Sequence, residues 1–130
     1  MNESLEFHDS SVSNVRAIGD RLFVTFSKAY VHRSLGEPGV SAGEEFIRSA
    51  ELIFEHASWS GELANACGDI SDGHVSTGER QLSLLPLPFA IQSAVTAELV
   101  FTSGASLRVS ASSAVCTATG TARFVERYDG

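Results

Sequence analysis

Two stretches of this chain alternate side chains with a period of two, and that period limits the fold more than any other feature. Leu22, Val24 and Phe26 alternate with Phe23, Thr25 and Ser27. Val95, Ala97, Leu99 and Phe101 alternate with Thr96, Glu98, Val100 and Thr102. Residues two apart share one face of a strand, whereas a helix would scatter them around its axis. Each stretch is bounded by a turn signal. Gly19-Asp20 separates Arg21–Val31 from Val12–Ile18, and Ser103-Gly104 separates Val95–Phe101 from Leu107–Val115. Both read as β-hairpins.

The hairpins echo one another. Gly-x-x-Leu-x-Val-x-x-Ser-x-Ala runs from Gly19 to Ala29 and again from Gly104 to Ala114. A second echo matches Ala50-Glu51-Leu52-Ile53-Phe54 with Ala97-Glu98-Leu99-Val100-Phe101. An internal duplication would produce both echoes, but their sequence offsets differ. Glycine turns and alternating Leu and Val generate such matches by chance, and the unequal offsets favour that origin.

Residues 41–57 carry two conflicting patterns. Ser41 followed by Glu44 fits a capping box, and Phe46, Ile47, Ala50, Ile53, Phe54 and Ala57 fall on one helical face. Leu52 would then point the wrong way, and Ala50–Phe54 repeats a strand. A short helical or loop lead-in followed by a strand reconciles the two. Elsewhere turns dominate: Glu37-Pro38-Gly39 sits in a loop, and Asp72-Gly73 signals a hairpin between Ile70 and Val75. Leu84–Phe89 cannot be a central strand, because Pro86 and Pro88 each lack a ladder donor. Thr121–Tyr128 reads as a last strand. The expected fold is mainly β: one domain over residues 1–130, an antiparallel sandwich or roll, with one short helix allowed around residues 41–49.

Composition narrows the partners. The chain has 130 residues, 43% hydrophobic and 19% charged, enough for one real core without a metal or disulfide. Nine Lys and Arg against a net charge of −7 disfavour nucleic acid and anionic membrane surfaces. No stretch approaches the ~20 apolar residues of a membrane span. The acidic start Met1–Glu6 does not resemble a secretory leader, so a cytoplasmic location is expected. There Cys67 and Cys116 should be free thiols, small apolar residues in the interior.

Several polar groups qualify as candidate sites. His8-Asp9-Ser10 offers a base, a carboxylate and a hydroxyl, yet neighbours on an extended chain point to opposite faces. Its expected role is structural, with Asp9 and Ser10 accepting N–H bonds in a turn that launches the first strand. Asp69, Asp72 and His74 form a polar cluster beside the expected turn, and His32 and His56 fall near strand ends. Glu51 and Glu55 read as a solvated pair. No nucleophile elbow, phosphate loop or dinucleotide fingerprint occurs, so no cofactor is expected.

Trp59, the only tryptophan, and the strip Leu84, Leu85, Leu87 and Phe89 are the candidate ligand or partner surface. The first functional expectation is a non-catalytic binding or protein-interaction module, meeting a protein partner or itself as a homodimer through that strip. The second is a small metal-dependent or hydrolytic enzyme built around His8, Asp9, Asp72 and His74.

Overall fold

The alternating stretches form strands, and so does most of the rest. In a computed structural model that describes residues 1–78 and 80–130, strands take up 74% of the chain and helix 2%. The strands are β1 (Asn2–Ile18), β2 (Arg21–Ser34), β3 (Gly43–Glu55), β4 (Ser58–Ser60), β5 (Gly68–Thr77), β6 (Arg80–Leu82), β7 (Leu84–Leu87), β8 (Phe89–Ile91), β9 (Val95–Phe101), β10 (Ser106–Ala111) and β11 (Ser113–Tyr128). One 3₁₀ turn, Leu63–Asn65, is the helical part.

All recorded pairings are antiparallel. The strand order is β4-β10-β9-β5-β1-β2-β3-β11-β8, with β6 on β5 and β7 on β1. The two halves join where Ser11 and Val12 of β1 meet Asp69 and Gly68 of β5. The result is a single sheet curled into a half-barrel, the roll rather than two separate layers. Both expected hairpins form, as β1–β2 and β9–β10. Gly19 and Gly104 turn them with φ of +62° and +94°, a conformation that costs glycine nothing. The inward faces meet in one cluster that includes Leu5, Phe7, Leu22, Phe26, Leu52, Phe54, Leu99 and Phe101. Each large side chain there contributes roughly 1.5–3 kcal/mol by leaving water.

Residues 41–49 hold no helix. β3 begins at Gly43 and turns Ala50, Leu52 and Phe54 inward, so the residue that misfits the helical face is a core residue. The Ser41 hydroxyl accepts the Glu37 N–H and closes a turn, so it caps no helix. Asp72-Gly73 is not a hairpin turn either, because β5 runs straight through it. A Cβ at Gly73 would lie 2.9 Å from Phe7 Cβ and 3.0 Å from Leu99 Cδ2, so glycine there makes room for the core. The strand expected over Leu107–Val115 breaks at Ser112 into β10 and β11.

The long strands change phase together. In β1 the buried residues pass from Leu5 and Phe7 to Ser10 and Val12, and in β2 from Val24 and Phe26 to Ala29 and Val31. Register breaks between Glu6 and Ser11 on β1, Phe26 and Ala29 on β2, and Thr119 and Arg123 on β11. Extra residues bend a strand and sharpen its twist, so aligned bulges crease the sheet across neighbouring strands. At the crease Asp9 adopts φ +76°. The buried Ser10 hydroxyl donates to the Glu6 carbonyl at 2.6 Å and accepts the Tyr30 N–H at 2.9 Å. His8-Asp9-Ser10 therefore bends the middle of β1 and does not launch it.

Candidate functional site

Beyond the crease, strand geometry gathers polar side chains on the outer face. Glu6 and His8 lie two apart on β1, Glu6 sits opposite Tyr30 of β2, and His32 of β2 sits opposite Glu45 of β3. His32 Nδ1 is 3.1 Å from Glu45 Oε1, and His32 Nε2 is 3.6 Å from Glu6 Oε2. The His32 and Glu45 side chains are only 13% and 5% exposed. The turn at Gly39 packs over the His32 ring and against Leu84: a Cβ at Gly39 would meet Leu84 Cδ1 at 2.9 Å and His32 Cγ at 3.8 Å. The Tyr30 ring stands edge-on to His32 at 5.4 Å, and its hydroxyl donates to Glu126 at 3.0 Å. Burial, and then the Glu126 carboxylate, hold the Tyr30 phenol above its ordinary range. His32 Nε2 and Glu45 Oε2 are buried without a hydrogen-bond partner among the described residues.

The left-handed backbone at Asp9 overturns the rule that adjacent side chains diverge. It brings Asp9 Oδ1 to 3.4 Å from His8 Nδ1. Donor atoms of Glu6, His8 and Asp9 all fall within 4.8 Å of one another. The two residues border a depression of about 520 Å³ that Lys28, Tyr30 and Asp69 also line. Asp72 and His74 are not part of its lining. His74 faces Glu98 across β9 and borders a different hollow with Arg108. Of the expected set of four, only His8 and Asp9 come together, joined by Glu6, which alone of the three contacts His32. A period-two reading of β1 and β2 would have placed Glu6, His8, Tyr30 and His32 on one face; the cross-strand register that joins them was the missing piece.

A second polar cluster ties the opposite end of the sheet. His56, in the left-handed region at φ +50°, sets Nδ1 2.8 Å from Ser112 Oγ and Nε2 3.6 Å from Asp20 Oδ2. The order of groups imitates a nucleophile, base and acid, but the bonding does not. The Ser112 hydroxyl donates to the Glu55 carbonyl, and His56 and Asp20 are 72% and 61% exposed. The Ser112 N–H is bonded to Glu55, and the Ala57 N–H to Asp20, leaving neither for an oxyanion. This cluster fastens strand ends.

The apolar candidates are largely engaged with their own chain. Trp59 of β4 faces Val109 and packs, half-buried, on the core. Pro88 splits the strip into two short strands, β7 beside β1, with Pro86 inside it opposite Ser4, and β8 beside β11. Leu85 is fully buried opposite Leu5, and Leu84, Leu87 and Phe89 are half-buried. Of the cysteines, both unbonded, Cys116 is buried as expected while Cys67 is exposed. Burial pushes the Cys116 thiol up to about 12.

One strand edge stays open. β8 covers the outer side of β11 only from Ala114 to Cys116, and among the described residues no strand pairs with that side from Thr117 to Tyr128. Phe124, 54% exposed, stands on this segment with Val125 and Tyr128. Leu87 and Pro88 adjoin its start, sharing a hollow with Thr117 and Ala118.

No protein-family model, curated protein or solved structure matches this chain.

Proposed function

We propose that this chain is a non-catalytic protein-interaction module that docks by strand addition at the outer edge of β11, with a second copy of itself as the partner. The open edge from Thr117 to Tyr128 is the observation that carries the reading. An edge strand offers a row of unpaired N–H and C=O groups, and exposed Phe124, Val125 and Tyr128 add apolar surface beside it. Charge favours self-pairing at this segment. Residues 117–129 hold Arg123 and Arg127 against Glu126 and Asp129, so two copies meet without the repulsion that −7 imposes on the chain as a whole. Two-fold pairing is also the commonest closure of an oligomer. The strip enters through its end: Leu87 and Pro88 adjoin the edge, while Leu85 belongs to the core. The free thiols suit a reducing compartment, the cytoplasm.

Light scattering at tens of micromolar tests the reading. Twice the chain mass of 13.8 kDa is expected. Thr121→Pro lies between the β3 pairs of Thr119 and Arg123, so it blocks the outer edge without removing a recorded β3 pair. This variant should be a folded monomer. A wild-type monomer at that concentration ends the proposal.

A further inference from the structure

We infer that the outer face of β2, β3, β11 and β8 holds a binding site for one small, uncharged, largely apolar ring compound. Strand register is the first observation. Phe23 of β2 faces Ile53 of β3, Ile53 faces Val115 of β11, and Val115 faces Ala90 of β8. Their neighbours Leu22, Val24, Leu52, Phe54, Ala114 and Cys116 fill the core, so this row points outward. The solvent side of an antiparallel sheet is ordinarily polar, and an apolar row there serves no part of the core. At strand spacings of about 4.8 Å the row is roughly 14 Å long. The Arg16 and Arg21 guanidinium groups lie over the Phe23 ring at 4.9 and 5.9 Å and close that end. The other end is open, with Val115 43% exposed and Ala90 exposed beside it.

Shape and charge select the ligand. Ile53, Val115 and Ile91 line a hollow of about 670 Å³ that His56, Ser113 and Gln92 border. Small-molecule sites of roughly 300–1,000 Å³ have this make-up, apolar walls with a few polar groups. A polar row flanks the apolar one on each side: Glu55 opposite Ser113, and Glu51 between Thr25 and Thr117. Each row closes its own charge, for Arg21 Nη2 lies 2.7 Å from Glu55 Oε1 and Arg16 Nη2 3.5 Å from Glu51 Oε2. A charged ligand of either sign would have to break one of these pairs or sit unpaired on the apolar row. Asp20, 3.6 Å from His56, further opposes an anion. Ser113 and Gln92 can each give a hydrogen bond to a hydroxyl or carbonyl on the ring. Val115 precedes the open edge that begins at Thr117, so the site does not depend on dimer formation.

Titration of the full chain with Nile red, an uncharged fluorescent ring compound, tests the inference. One dye per chain is expected, with the largest shifts in a methyl NMR spectrum at Ile53 and Val115. Val115→Asp and Ala90→Glu, both at exposed positions, should each weaken binding at least tenfold. Phe124→Ser and the edge variant Thr121→Pro should leave it unchanged, and the anionic dye anilinonaphthalene sulfonate should bind at least tenfold more weakly. No Nile red binding at 100 µM chain overturns the inference. So does affinity that survives both Val115→Asp and Ala90→Glu, or affinity that disappears in Phe124→Ser. A chain mass that falls in Val115→Asp, with no dye bound to the wild type, would make the row a protein contact and overturn it as well.

Discussion

Ser10→Ala removes one oxygen and should destabilise the fold by about 2–3 kcal/mol, well beyond the ±0.5 typical of a surface change. The figure follows from two bonds. The Ser10 hydroxyl donates to the Glu6 carbonyl at 2.6 Å and accepts the Tyr30 N–H at 2.9 Å. Both backbone groups lie where the β1–β2 ladder is interrupted, between Glu6 and Ser11, so the next strand residue cannot replace the hydroxyl. An unpaired buried N–H costs about 1–3 kcal/mol, and the lost bond to the carbonyl about 0.5–1.5 more; partial burial of the pair places the sum near the middle. For a chain of this length, such a loss lowers Tm by roughly 10 °C. Urea unfolding followed through Trp59, which reports from β4 on the other half of the sheet, measures it globally. A loss below about 1 kcal/mol would refute the claim that this hydroxyl holds the crease.

Three further outcomes follow from the same geometry. Asp9→Gly should match or exceed wild-type stability, by up to about 1 kcal/mol in a thermal melt, because glycine adopts φ +76° without strain and the Asp9 carboxylate accepts no backbone bond. Gly73→Ala should cost about 1–3 kcal/mol by chemical denaturation, since its methyl group would press on Phe7 and Leu99 in the core. Thiol labelling of native protein at pH 8 should modify Cys67 and spare Cys116, and unfolding should release the second thiol. Because burial raises the Cys116 value from an ordinary 9.0 to about 12, the folded state keeps a proton that the unfolded chain gives up. That contribution is complete below pH 9 and is lost between pH 9 and 12 at about 1.4 kcal/mol per pH unit, so denaturation midpoints should fall across that window, and less so in Cys116→Ala.

The strands of this fold are legible in sequence wherever one face is buried. Leu22, Val24 and Phe26 point inward as their alternation requires, and so do Val95, Ala97, Leu99 and Phe101. The two echoes also gain a physical meaning. Ala50–Phe54 and Ala97–Phe101 show the same alternation of buried and half-buried residues, and each lies beside a Gly-led strand, β2 or β10. In one half the Gly-led strand comes first and in the other it comes second, which accounts for the unequal offsets. Bulges were not legible. Nothing in His8-Asp9-Ser10 separates a turn before a strand from a bend within one, because the same small polar residues serve both. Asp72-Gly73 misled for a related reason: glycine signals a turn, yet here it clears space for Phe7. The His32–Glu45 contact depends on a register between β2 and β3, which spacing along one chain cannot supply.

The edge of β11 is tested most directly by hydrogen exchange at two concentrations. Amides between Thr117 and Tyr128 that point away from β3 have no strand partner among the described residues of one chain, so they should exchange quickly at a few micromolar. At several hundred micromolar the same amides should slow at least tenfold as two edges pair, and Thr121→Pro should abolish the difference while the β2–β3 amides stay protected in both. Equal exchange at the two concentrations in the wild-type chain, with the rest of the sheet protected, would show that this edge meets no second copy.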